Sequence, residues 1–329
     1  MLGQVHRPNL LRNIQSFTIS NTWAGAGKEY VKTGSTEDTG DLVFVSYGSG
    51  LFVGEELIDR VTLARDLVVE RQSVGDATYA LGFSAGINGI LGLGPTNLTI
   101  GTLLSDQSAP IPTVLDNLYK SGAIRSNEFA VYFQPVVGNN TFNGEITFGG
   151  SDRSKTTCDI QYTPVTATQP SSQYWGINQT ITYGKTTMLL SNRAGVVDTG
   201  TTLLLMSTDA FDIYKNVTGA VLDNVTGLLS ITEEQYSNLN SLHFTIGTST
   251  FKLNADGQLW PRRLNTLIGG NSSAIYLIVG DLGVDSSFGL TFINGYSFLE
   301  RFYSIYDSTN NRLGFATTAY TNSKTNFLI

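Results

Sequence analysis

The stretch Val196-Val197-Asp198-Thr199-Gly200-Thr201-Thr202 runs directly into Leu203-Leu204-Leu205-Met206. Two apolar residues lead into a lone carboxylate, and an apolar run leads away from it. Both flanks call for burial, so Asp198 reads as a turn residue emerging from a packed strand. Gly200 permits a tight turn close to a partner loop. The hydroxyls of Thr199 and Thr201 can hydrogen-bond the turn and the carboxylate, holding it in place. An Asp followed by Thr-Gly is also an ordinary turn; the apolar context on both sides sets this one apart.

Outward from that stretch, the chain reads as strands. Leu42-Val43-Phe44-Val45-Ser46-Tyr47 is rich in β-formers and runs into the turn signal Gly48-Ser49-Gly50. Apolar runs resume at 51–53, 57–63 and 67–69, and further strands are expected at 129–133, 145–148, 160–164, 179–190, 243–247 and 303–307. Spacing this short and regular is an all-β signature. Helices are few. One is expected at 113–121, where Val114, Leu115, Leu118 and Tyr119 form a stripe before Gly122. A second is capped by Ser207 and carries Phe211 and Tyr214. A third opens on the capping box Thr232-Glu233-Glu234-Gln235, and a fourth spans 295–302 with Phe298, Leu299 and Phe302. Each stripe reads as core packing, without a catalytic role.

Composition agrees. The 329 residues give a prior of about two domains. Only 14% are charged and 41% are hydrophobic, which suits a turn-rich β protein with a sizeable core. With 20 basic against 27 acidic residues, a nucleic-acid binder is not expected. Few Lys and Arg also mean little positive self-repulsion once the carboxylates protonate, which suits an acid-tolerant protein. Cys158 is the only cysteine, so no intrachain disulfide can form, and it reads as a small buried or half-buried apolar residue. His6 and His243 alone leave little room for a His-based triad or a metal cluster. Asn-x-Ser/Thr sequons begin at Asn97, Asn139, Asn178, Asn216, Asn224 and Asn271, and lean towards a secreted glycoprotein. No run of about 18 apolar residues exists to cross a membrane as a helix. The first twenty residues lack the apolar core of a signal peptide, which conflicts with the sequons.

The chain resembles the pepsin family of aspartic proteases and, within it, the fungal polyporopepsin-like acid proteases. The resemblance covers about residues 20 to 318. Besides the Asp198 stretch, Tyr47-Gly48-Ser49-Gly50 looks like the tip of the family's active-site flap. Gly89-Ile90-Leu91-Gly92-Leu93-Gly94 looks like the segment that packs behind the first-lobe aspartate. Phe148-Gly149-Gly150 and Tyr174-Trp175 match the lobe-crossing region. Phe292-Ile293-Asn294-Gly295, then Phe302 to Asp307 and Arg312 to Ala316, look like the closing segment. Any one of these is weak; in this order and spacing they are specific. The resemblance implies an all-β, two-lobed fold with a central cleft and a few short helices. It implies an aspartic-type endopeptidase acting on extended polypeptides, without cofactor or metal, extracellular, monomeric, and with neither nucleic acid nor membrane as partner. Two carboxylates share one proton, titrate as a unit and activate a water. Asp198 would be one of them, with Tyr47, Gly48, Ser49, Gly200, Thr201 and Thr202 contacting substrate. The lobes are expected at 20–162, incomplete and carrying the flap, and at 163–320. A connection is expected near 163–172, an atypical segment at 1–19 and a tail at 321–329.

The second aspartate is missing from its expected place. The family's first motif, apolar-apolar-Asp-Thr-Gly-Ser, precedes a stretch that Ser20-Asn21-Thr22-Trp23 fits. Counting back from Trp23 puts Ser16 at the aspartate position, with Phe17, Thr18 and Ile19 following, and Met1–Ile19 contain no Asp or Glu. Asp38-Thr39-Gly40 has the right letters, but its neighbours are Glu37 and Asp41, and it lies nine residues before Tyr47, too close for a first-lobe aspartate. It reads as a solvated turn entering the flap strand. Upstream truncation, with residues 1 to about 19 from foreign coding sequence, is the expected cause, and it leaves the activity of this chain impaired. The alternative is a non-catalytic peptide- or protein-binding homologue. Gly25-Ala26-Gly27-Lys28 lacks the upstream Gly and the Ser/Thr of a P-loop, and the glycines at 86–94 do not open a helix as a dinucleotide-binding turn would.

Overall fold

The computed structural model describes residues 18–21, 30–48, 50–83, 88–136 and 143–326. Ser16, the Gly25–Lys28 run, Ser49 and Asn139 lie outside the described residues. The described chain is mostly β, with short helices, and forms two compact units. One comprises Met1–Glu128 with Phe148–Gly150; the other comprises Phe129–Thr147 with Ser151–Ile329.

The first unit is built on a five-stranded sheet in the order Glu37–Ser46, Leu51–Ala64, Leu67–Leu81, Thr18–Asn21, Gly89–Ile90. In its first strand Val43 and Val45 are buried while Leu42 and Phe44 face out, the two-residue period of a half-buried strand. Phe52, Ala77, Ala80, Leu103 and Ile111 complete the core around those valines. The helix Val114–Lys120 has a full capping box between Thr113 and Asp116. It buries Val114, Leu115 and Leu118, whereas Tyr119, expected in the same stripe, is exposed. Asp59 ties down the 30–36 loop, accepting from Tyr30 Oη, Ser35 Oγ (2.6 Å) and Thr36 Oγ1 (2.8 Å).

The second unit holds a seven-stranded sheet ordered Ser249–Leu253, Leu242–Ile246, Gly176–Tyr183, Thr187–Val197, Phe292–Asn294, Leu204–Met206, Val279–Asp281. The single run expected at 179–190 is thus two strands of a hairpin, turned at Gly184 with φ +61°. A five-stranded sheet centred on Phe302–Asp307 and a small three-stranded sheet complete the unit. The helices at Thr208–Thr218 and Glu233–Ser237 fall where the sequence places them, the second with both halves of its capping box formed, although Ser207 makes no side-chain capping hydrogen bond. The fourth is only Tyr296–Leu299, and Phe302, expected inside it, opens the Phe302–Asp307 strand. Phe298 packs among Phe244, Phe302 and Phe315, with ring centroids 4.7–6.1 Å away. The chain end up to Asn326 is fastened to this unit. Buried Arg301 donates to the carbonyl oxygens of Tyr320 and Ser323, and buried Asp256 accepts from the backbone N–H groups of Thr325 and Asn326. Among the described residues no helix is long and apolar enough to cross a membrane.

Candidate active site

Asp198 sits where the chain leaves one strand and returns on the far side of another. The Thr187–Val197 strand ends parallel to Phe292–Asn294, with Val196 opposite Ile293 and Val197 opposite Asn294. After the 198–203 loop, Leu204–Met206 pairs antiparallel with the other edge of that same short strand. The loop therefore straddles residues 292–294. Val196, Val197, Leu203 and Leu204 are all buried, which is what the apolar flanks require. Asp198 N–H donates to Asn294 O (3.1 Å), and Val197 N–H donates to Trp175 O (3.0 Å).

The loop is held from below by the start of a helix. Tyr296 N–H donates to Thr201 O (2.7 Å) and Ser297 N–H to Thr202 O (3.0 Å), reinforced by Ser297 Oγ (2.8 Å). These N–H groups belong to the first turn of Tyr296–Leu299, which has no intrahelical partner for them. The approach is possible only because residue 295 is glycine. A Cβ there would lie 2.2 Å from Leu203 O and 2.5 Å from Thr201 O.

The Asp198 carboxylate has donors on both oxygens. Oδ1 accepts from Gly200 N–H (2.8 Å) and Oδ2 from Thr201 Oγ1 (2.6 Å). Asp198 is only 7% exposed, and this burial raises its pKa above the ordinary aspartate value, against the opposing pull of those donors. It is thus oriented as a hydrogen-bond acceptor, while burial disfavours its charged form. Such a group can give a proton to a carbonyl oxygen or, once ionised, take one from water. Beneath the loop, the side-chain amides of Gln179 and Asn294 pair reciprocally (3.0 and 3.1 Å), and both are buried. Tyr306 is close enough that the Asp198 charge adds to burial in raising its hydroxyl pKa. Its ring stacks on Phe129 at 4.5 Å and meets Trp175 edge-on at 5.5 Å.

The other expected substrate contacts divide between the units. Gly200, Thr201 and Thr202 share the Asp198 loop. Tyr47 and Gly48 lie in the first unit, at the tip of the hairpin formed by Glu37–Ser46 and Leu51–Ala64, where Tyr47 N–H donates to Gly50 O (2.6 Å). The Tyr47 ring meets Phe83 edge-on at 5.6 Å, and its hydroxyl is buried without a hydrogen-bond partner among the described residues. That burial raises its pKa. In the same sheet, Thr18–Asn21 pairs antiparallel with Gly89–Ile90, Ser20 opposite Gly89.

Asp38 lies inside the Glu37–Ser46 strand, not before it. The pairing slips between Asp38 and Leu42, a bulge that Gly40 allows with φ +74°. Its side chain is exposed and faces Lys32 Nζ at 3.3 Å. Gln179, Tyr296 and Ser297 carry the support of the site but are not among the residues singled out from sequence. Gln179 is one of many alternating residues in a strand, and no local signal marks it. Among the described residues no three His, Cys, Asp or Glu side chains cluster so as to hold a metal.

Comparison with known proteins places this arrangement. Residues 27–318 match the family model described as eukaryotic aspartyl protease. The chain is 58% identical over 307 residues to polyporopepsin of Irpex lacteus, covering 93% of this chain and 90% of that protein. It is 30% identical over 281 residues to gastricsin of Cavia porcellus, covering 84% of this chain and 65% of that protein. The crystal structure of the aspartic proteinase from Irpex lacteus superposes with a TM-score of 0.89 at 57% identity, covering 93% of this chain and 90% of that one.

Proposed function

The chain belongs to the eukaryotic aspartyl protease family, and from that premise we propose that Asp198 is one carboxylate of its catalytic pair and that these 329 residues lack the other. The family activity is endopeptidase action on polypeptides. The observation that carries the assignment is the buried carboxylate of Asp198, held between Gly200 N–H and Thr201 Oγ1 in a loop fixed by Asn294 and the 296–299 helix. Tyr47, Gly48 and Ser49 form the flap over an extended substrate, and Gly200, Thr201 and Thr202 contact substrate or carboxylate. The protein works outside the cell, as a monomer.

Peptide hydrolysis by such a pair needs one carboxylate to take a proton from the attacking water and one to give a proton to the scissile carbonyl. Asp198 can do either, but not both at once. Met1–Ile19 contain no Asp or Glu, and Ser16 stands at the position of the mate. Residues that act as a unit fail together, so the rate falls by orders of magnitude when one is lost. A chain in this state keeps its peptide-contacting residues, which makes peptide binding without cleavage the second reading. The test is the full chain incubated with a denatured protein at pH 3–5, beside the Asp198→Asn variant. The two should cleave equally slowly, and pepstatin should make no difference. Rapid, pepstatin-sensitive cleavage that Asp198→Asn abolishes would show the pair to be complete.

A further inference from the structure

Two of the sequons, at Asn224 and Asn271, meet on one surface of the second unit. Asn224 lies in the 223–227 turn, where Asp223 Oδ1 accepts from Val225 N–H (2.9 Å) and Thr226 N–H (2.8 Å). Asp223 Oδ2 is 3.4 Å from Tyr276 Oη, which in turn accepts from Asn271 N–H (3.1 Å). The loop before Asn271 runs beside the turn: a Cβ added at Gly269 would lie 3.4 Å from Val225 Cγ1. Around this junction the surface is unusually apolar. Val225 is 73% exposed, Val221 66% and Leu267 58%, and Leu222 is exposed as well. Exposed apolar residues gathered in one place are uncommon on a soluble protein unless something covers them. Val225 is itself the middle residue of the Asn224 sequon.

The two asparagines are free to be modified. Both are exposed, and neither Nδ2 makes a hydrogen bond among the described residues. Asn271 Oδ1 accepts from Ser273 N–H (3.0 Å) and Oγ (2.9 Å), so the oxygen and not the nitrogen is engaged. Asn178 is the contrast. It is half-buried in the Gly176–Tyr183 strand, paired opposite Ala194, and its Oδ1 accepts from Thr166 Oγ1 (2.7 Å).

We propose that Asn224 and Asn271 carry N-linked glycans that cover the apolar surface of Val221, Leu222, Val225 and Leu267. The linkage forms when Nδ2 displaces the lipid diphosphate from C1 of a lipid-linked oligosaccharide, losing one proton as the N–C1 bond is made. A glycan is bulky and solubilising, so one on each side of the junction replaces apolar surface with hydroxyls. The inference rests on the secreted reading above, and its test separates the two.

The full chain, secreted from a yeast behind a supplied leader, is treated with an endoglycosidase that leaves one N-acetylglucosamine, and its peptides are mapped by mass spectrometry. The remnant is expected on Asn224 and Asn271 and not on Asn178. The trimmed protein, and the Asn224→Gln/Asn271→Gln variant, should self-associate in size-exclusion light scattering at an unchanged thermal midpoint. Adding Val225→Ser and Leu267→Ser should return the variant to monomer. Bare Asn224 and Asn271, whether or not Asn97 is glycosylated, would overturn the proposal and leave the secreted reading standing, because the supplied leader carries the chain out of the cell in either case. A trimmed protein that stays monomeric would overturn the covering role.

Discussion

Asp38 and Asp198 carry the same three letters and make nearly the same turn. Each Oδ1 accepts from the N–H of the glycine two residues on, at 2.9 and 2.8 Å. Their surroundings separate them. The Asp38 side chain is exposed, and the Gly40 N–H and then Lys32 hold its carboxyl below the ordinary range. The Asp198 carboxyl is buried, and burial pushes it the other way. Apolar flanks are what make the difference, and they are legible in sequence because burial is set by neighbours along the strand. The support of Asp198 is less legible. Gln179 and Asn294 are 115 residues apart and pair only once the sheet has formed. Thr201 was readable as a donor, and its contribution can be measured. Replacing Thr201 by Val removes a hydrogen bond that favours the ionised carboxylate, so the Asp198 titration should move upward, followed by carboxyl-carbon NMR. Thr201→Ser should restore it. An unchanged titration in Thr201→Val would show that Thr201 does not stabilise the ionised form.

At the scale of elements, the Tyr296–Leu299 helix joins the Asp198 loop to a buried carboxyl at its other end. Glu300 follows the helix and is almost fully buried, with Arg301 Nε 3.7 Å from Oε1 and Val136 N–H 3.4 Å from Oε2. Burial pushes its pKa from 4.5 up to about 7; Arg301 and the Val136 N–H oppose the rise, and the Asp256 charge adds to it. The Glu300 charge in turn contributes to the raised pKa of the Tyr296 hydroxyl. The sign follows from linkage. The folded chain holds a proton that the unfolded chain releases between pH 4.5 and 7, so the contribution is full below about 4.5 and is lost as pH rises through 7. The loss approaches roughly 3 kcal/mol at about 1.4 kcal/mol per pKa unit. Glu300→Gln should therefore flatten the fall in stability between pH 4.5 and 7, measured by urea unfolding. Equal falls in both proteins would remove Glu300 from the account. Strands and helices were largely legible from apolar periodicity and capping. The straddled strand was not, because residues 292–294 gain their partners from segments about ninety residues away.

At the scale of the whole molecule, charge composition limits the cost of working in acid. The chain carries only 20 Lys and Arg, so protonating its carboxylates creates limited self-repulsion. Asp198 and Glu300 have raised pKa values, which favours the folded state at low pH, whereas hydrogen bonds, against burial, hold Asp59, Asp116 and Asp307 below the ordinary range and pull the other way. The all-β class and the family were legible because turn chemistry, apolar alternation and ordered motifs agree along the chain. The gap proposed at Ser16 comes from counting back from Trp23, and the loss of activity proposed above follows from it. The direct test rebuilds the first motif in the full chain, with Ser16→Asp, Phe17→Thr, Thr18→Gly and Ile19→Ser together, and measures cleavage of a denatured protein at pH 3–5. The rebuilt chain should gain pepstatin-sensitive cleavage by roughly a thousandfold or more, and adding Asp198→Asn should abolish it. A rebuilt chain that folds but stays inactive, or an unaltered chain that already cleaves as fast, would contradict the account.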